Sequence, residues 1–87
     1  MRDWGEKFER LREIYRRDDG SKWTGAALER ATGGEVSQYF VSDLRKGKIR
    51  DPGFSKIVAI SRVMGIPLQA WIDDDFLEAE RRRLTES

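Results

Sequence analysis

Turn-forming residues punctuate this chain at short intervals, and between them apolar residues recur at helical spacing, with no strand-like alternation of useful length. That pattern predicts an all-α fold. Trp4, Phe8, Leu11 and Tyr15, with Ile14 beside them, make one apolar stripe on a first helix from about Asp3 to Arg17. Asp3 can accept from first-turn amides, and Glu6, three residues on, can reach back as in a capping box. Glu6, Lys7, Glu9, Arg10, Arg12, Glu13 and Arg16 occupy the other face, most simply a solvated one. Asp18-Asp19-Gly20-Ser21 is turn chemistry that ends the helix.

A second, shorter helix begins at the N-cap candidate Thr24 and stops at Thr32-Gly33-Gly34; Ala26 and Ala27 leave room for another helix to approach. Ser37 caps a third helix to about Lys46, which buries Phe40, Val41 and Leu44 and ends at Gly47. After a loop from Lys48 to Gly53, Ser55 is expected to cap a fourth helix through Met64, with Ile57, Ile60, Val63 and Met64 facing inward. Pro67 suits the first turn of a fifth, directing Leu68, Trp71 and Ile72 to the core. Asp73-Asp74-Asp75 then open a short sixth helix, acids first and Arg81, Arg82 and Arg83 last, with fraying after Leu84. Trp4, Phe8, Leu11, Phe54, Ile60 and Trp71 are expected in the core. Residues 1–72 read as the main domain and 73–87 as an added C-terminal helix.

At 87 residues the chain has single-domain size, and a domain this small gains from oligomerisation. It contains neither Cys nor His. Thiolate chemistry, disulfides and Cys-based zinc fingers are therefore excluded, and the usual general base is missing. No carboxylate dyad or lysine site stands in for them, so no enzyme, cofactor or small-molecule substrate is expected. Asp73-Asp74-Asp75 invites a metal reading, but consecutive side chains at a helix start do not converge on one ion, and no metal is expected. No apolar run reaches membrane-spanning length and no signal peptide opens the chain, so the expected location is cytoplasmic, with no membrane partner. Charge is segregated: residues 1–72 carry 14 Lys/Arg against 10 Asp/Glu, whereas 73–87 carry three Arg against six acids. A mildly basic body suits a nucleic-acid binder.

The third helix presents Ser37, Gln38, Tyr39, Ser42 and Asp43 outward. An α-helix fits the major groove, where Gln pairs with adenine in bidentate fashion, Ser serves either base type and Asp accepts from cytosine N4. Arg45, Lys46, Lys48 and Arg50 follow, suited to flanking phosphates, and Asp43 is the single acid between residues 37 and 50. Each residue also has a plainer reading. Tyr39 can stack on the core or on Trp23, Asp43 can pair with Lys46, and the cations can be a solvated loop.

Val41-Ser42-Asp43-Leu44-Arg45-Lys46-Gly47-Lys48 resembles the end of the recognition helix in the phage-repressor/Cro class of helix-turn-helix proteins, the XRE family. Pro52, Val63-Met64-Gly65-Ile66 and Trp71-Ile72 are similar to that family's later helices, so the resemblance covers roughly residues 5–72. Tyr39 to Gly47 followed by Asp51-Pro52 is most similar to actinobacterial regulators of the EspR type. The turn Thr32-Gly33-Gly34-Glu35-Val36 is longer than the family's, and Arg45 stands where a Glu is common. The resemblance implies a five-helix lambda-repressor-like domain with a short additional C-terminal helix. It implies that Ser37, Gln38, Tyr39 and Asp43, with Ser42 behind them, point at base edges. It also implies that Lys22, Trp23 and Thr24, together with Lys46, Lys48 and Arg50, meet phosphates.

The function expected from these readings is a sequence-specific, double-stranded DNA-binding transcriptional regulator, acting as a homodimer and associated with the nucleoid. Phe76, Leu77 and Leu84 are candidates for the subunit contact, with packing on the same chain as the alternative. The alternative function is an antitoxin or phage accessory protein whose main role is to hold a protein partner.

Overall fold

The computed structural model describes residues 3–86, which form α1 (Trp4–Ile14), α2 (Gly25–Ala31), α3 (Gln38–Arg45), α4 (Phe54–Met64), a 3-10 turn (Leu68–Trp71) and α5 (Asp74–Glu86). The fold is all-α, with no strand among the described residues. Its extents are 34 × 33 × 19 Å, a flat disc.

Local chemistry sets most of the helix starts. Asp3 Oδ1 accepts from the Glu6 amide at 3.0 Å, Thr24 Oγ1 from Ala27 at 3.1 Å and Ser37 Oγ from Phe40 at 3.0 Å, each relieving an amide that the helix itself leaves unpaired. Asp73 does the same for Phe76 at 3.0 Å, and that backbone hydrogen bond holds its carboxyl below the usual range.

Three boundaries differ from expectation. α1 ends at Ile14 rather than Arg17, because Arg17 and the following loop bond among themselves: Arg17 N–H donates to Ser21 O and Gly20 N–H to Arg17 O, both at 2.8 Å. Ser55 is not a cap. α4 starts two residues earlier from Gly53, whose φ of 82° suits only glycine and whose N–H donates to Asp51 Oδ1 at 2.9 Å. The expected fifth helix is the four-residue 3-10 turn, and α5 continues through Glu86 instead of fraying at Leu84.

Phe8, Leu11, Leu28, Leu44, Ile60, Trp71 and Leu77 are essentially without solvent exposure and knit all five helices into one core. Trp71 stacks beside Phe8 at 6.5 Å between ring centroids and meets Trp4 at 6.2 Å, and its Nε1 donates to Ser61 Oγ at 2.7 Å. Ala70 and Trp71 fill the room that a four-residue turn has beside the core, so Leu68 and Ile72 lie outside it, as does Phe54 at the start of α4. The expectation that those three are buried is corrected. Lys7 and Arg12, expected on a solvated face, are buried. Lys7 lies against the start of α5 and pairs with Asp74, while Arg12 donates through Nε to the Trp23 carbonyl at 2.8 Å and through Nη1 to Glu9 at 2.9 Å.

α5 is part of this core. Leu77, one of the residues expected at a subunit contact, is fully enclosed by its own chain, and Tyr15 Oη donates to Glu80 Oε1 at 2.9 Å. Burial and the Glu80 carboxylate together push the Tyr15 phenol well above its ordinary pKa. Phe76 is half-buried against the core, and Leu84 is the exposed member of the trio.

Candidate nucleic-acid interface

α2 and α3 are joined by Thr32 to Ser37, a turn held by one hydroxyl. Thr32 Oγ1 donates to the Leu28 carbonyl at 2.7 Å and accepts from the Val36 amide at 3.1 Å, while Gly33 and Gly34 take positive φ of 66° and 91°. Val36 is enclosed beneath the turn. Glu29 of α2 accepts from the Gln38 amide at 2.9 Å, tying the first residue of α3 to the preceding helix. α3 approaches α2 closely at Gly25, where a Cβ would stand 3.3 Å from Gln38 Cα, and Ala27 of α2 is buried in the core.

On this support Val41 and Leu44 point into the core, Phe40 is half-buried, and Gln38 and Tyr39 are exposed at the start of α3. Tyr39, at 75% exposure, is stacked neither on the core nor on Trp23. The Ser37 hydroxyl is occupied as the cap, which leaves its hydrogen free to donate. Ser42 and Asp43 are half-buried one turn later, and Asp43 makes no ion pair with Lys46 among the described residues. Of the five side chains expected at the base-reading surface, Gln38 and Tyr39 are exposed on α3, Ser42 and Asp43 are partly buried one turn on, and Ser37 precedes the helix as its cap.

The cations divide into two groups. Lys46, Lys48 and Arg50 are exposed and make no ion pair among the described residues. Arg45 is instead paired through Nε with Glu9 of α1, and Lys22 through Nζ with Glu13 of the same helix. The Lys22 hydrogen bond holds the Glu13 carboxyl below the usual range. Thr24 is committed to capping α2, and Trp23 is half-buried with the Arg17 guanidinium 5.4 Å over its ring. The Trp23 indole N–H is buried without a partner among the described residues.

Sequence reasoning missed Glu9. Together with Ser42, Arg45 and Lys46 it lines a shallow hollow of about 330 Å³ beside α3, and it holds Arg12 as well as Arg45. The Glu9–Arg12 pair is at helical i,i+3 spacing, but nothing local signals the Glu9–Arg45 pair, which only the packing of α1 on α3 makes. Among the described residues no cluster of acids could hold a metal, and no helix is long and apolar enough to cross a membrane. No protein-family model, curated protein or solved structure matches the chain.

Proposed function

We propose that this protein is a sequence-specific regulator of transcription of the phage-repressor/Cro helix-turn-helix type, which inserts α3 into the major groove of double-stranded DNA as a homodimer in the cytoplasm, associated with the nucleoid. The observation that carries the reading is the outer side of α3: Gln38 and Tyr39 exposed at its start, followed past its end by the exposed cations Lys46, Lys48 and Arg50. Polar side chains with free hydrogen-bonding capacity suit base edges, and exposed cations beside them suit phosphates. The turn that holds α3 on α2 supports the same reading, because base recognition needs a helix at a fixed angle to its scaffold.

The test is selection from a random double-stranded DNA pool at about 50 and 200 mM salt, across which phosphate-driven affinity falls steeply. A two-fold motif enriched at both salts is expected. Against that motif, Gln38→Ala should cost about 1–3 kcal/mol and relax sequence preference, whereas Lys48→Ala should weaken all sequences alike and lower the salt slope by about one. Equal losses from both variants on cognate and scrambled DNA would overturn the assignment of base reading to α3.

A further inference from the structure

Lys56 belongs to α4, but its ammonium serves another element. Nζ donates to the Glu35 carbonyl, in the turn between α2 and α3, and stands 5.8 Å from the centroid of the Phe40 ring in the first turn of α3. Those two points lie on either side of Ser37, the cap of α3, so one cation spans the place where turn becomes helix. α4 itself packs on α2 and on the 3-10 turn. The start of α3 is thereby held from two sides: Glu29 of α2 accepts from the Gln38 amide, and Lys56 reaches across from α4. A helix held at one point can swing about it, whereas holds from two different elements fix its direction.

We infer that Lys56 is a positioning residue, which sets the angle at which α3 presents Gln38 and Tyr39 and so governs discrimination between DNA sequences; the inference rests on base reading by α3. Helix stability alone gives no reason for a lysine here, because a cation beside the first turn of a helix faces the positive end of its macrodipole. Lys56 also differs from the cations assigned to phosphates. Lys46, Lys48 and Arg50 are exposed, whereas Lys56 is half-buried with its ammonium engaged by a carbonyl and a ring. Bidentate contacts to base edges need two aligned hydrogen bonds at once, while long cations on phosphates tolerate a change of angle. Loss of the hold on α3 therefore falls first on sequence discrimination.

The test compares Lys56→Met, which keeps the stem without the cation, with Lys56→Arg, which can still donate and still lie over a ring. Circular dichroism checks that both fold. Without DNA, Lys56→Met is expected to speed hydrogen exchange of the Phe40 and Val41 amides about three- to tenfold while leaving α5 amides unchanged, a change of the size of one cation–ring contact or one hydrogen bond. On the selected motif it should lower the affinity ratio of cognate to scrambled DNA by about the same factor with the salt slope unchanged, and Lys56→Arg should restore both readouts. Tyr15→Phe, which loses the bond to Glu80 far from α3, should leave the ratio unchanged. Unaltered exchange at the start of α3 overturns the inference. So does an unaltered ratio, a salt slope lowered by about one, which would make Lys56 a phosphate contact, or an equal loss of ratio in Tyr15→Phe, which would make discrimination a matter of stability. A wild-type chain that selects no motif, with exchange still loosened locally in Lys56→Met, overturns the proposed function and supports the hold on α3.

Discussion

Gly5 is the point where two helices touch with no side chain between them. A Cβ there would stand 2.2 Å from the Leu44 carbonyl oxygen, a backbone atom that cannot move aside without disturbing the end of α3. Helix propensity by itself favours alanine over glycine by about 1 kcal/mol, so the sign of Gly5→Ala separates local preference from packing. Gly5→Ala is expected to destabilise by about 2–3 kcal/mol or more, read as a lower urea midpoint with unchanged slope. Nothing in a one-dimensional pattern marks this residue, whereas the caps Asp3, Thr24 and Ser37 were legible because a cap and its amide are three residues apart. Lys7 and Arg12 were misread for the complementary reason: their burial depends on α5 and on the Trp23 carbonyl, which only the tertiary fold brings near.

At the scale of elements, α1 restrains the candidate interface. Its Glu9 and Glu13 hold Arg45 and Lys22, two of the cations expected on phosphates, so a phosphate must compete with a carboxylate for each. Exposed pairs of this kind are worth little, in the range that corresponds to about a two- to fivefold change in an equilibrium constant. Glu9→Gln is therefore expected to raise affinity for duplex DNA by about two- to fivefold on cognate and scrambled sequences alike, measured by fluorescence anisotropy at low salt. Lower affinity would mean that Glu9 positions Arg45 for DNA rather than withholding it. The helical order and the outer side of α3 could be read from periodicity. The restraint by α1 could not, since the partners are 36 residues apart in the chain. Likewise the last helix looked like an appendage, yet Leu77 is a core residue and Tyr15 bonds Glu80, because an apolar position at helical spacing does not say which surface it will meet.

On the scale of the whole molecule, Phe54, Leu68 and Ile72 show how a pattern rule can fail informatively. Leu68 and Ile72 lie outside because Ala70 and Trp71 have already filled the space a four-residue turn can offer, and Phe54 lies outside as the first residue of α4, ahead of the turn that buries Ile57. The disc shape then has a metrical consequence. The molecule is 34 × 33 Å across its broad face, close to the roughly 34 Å rise of one turn of B-form duplex, so two copies side by side on the proposed operator would sit about one turn apart. Half-sites of a selected operator are accordingly expected about 10–11 base pairs apart, centre to centre, on one side of the helix, and inserting five base pairs between them should place the second copy on the opposite side and abolish joint binding.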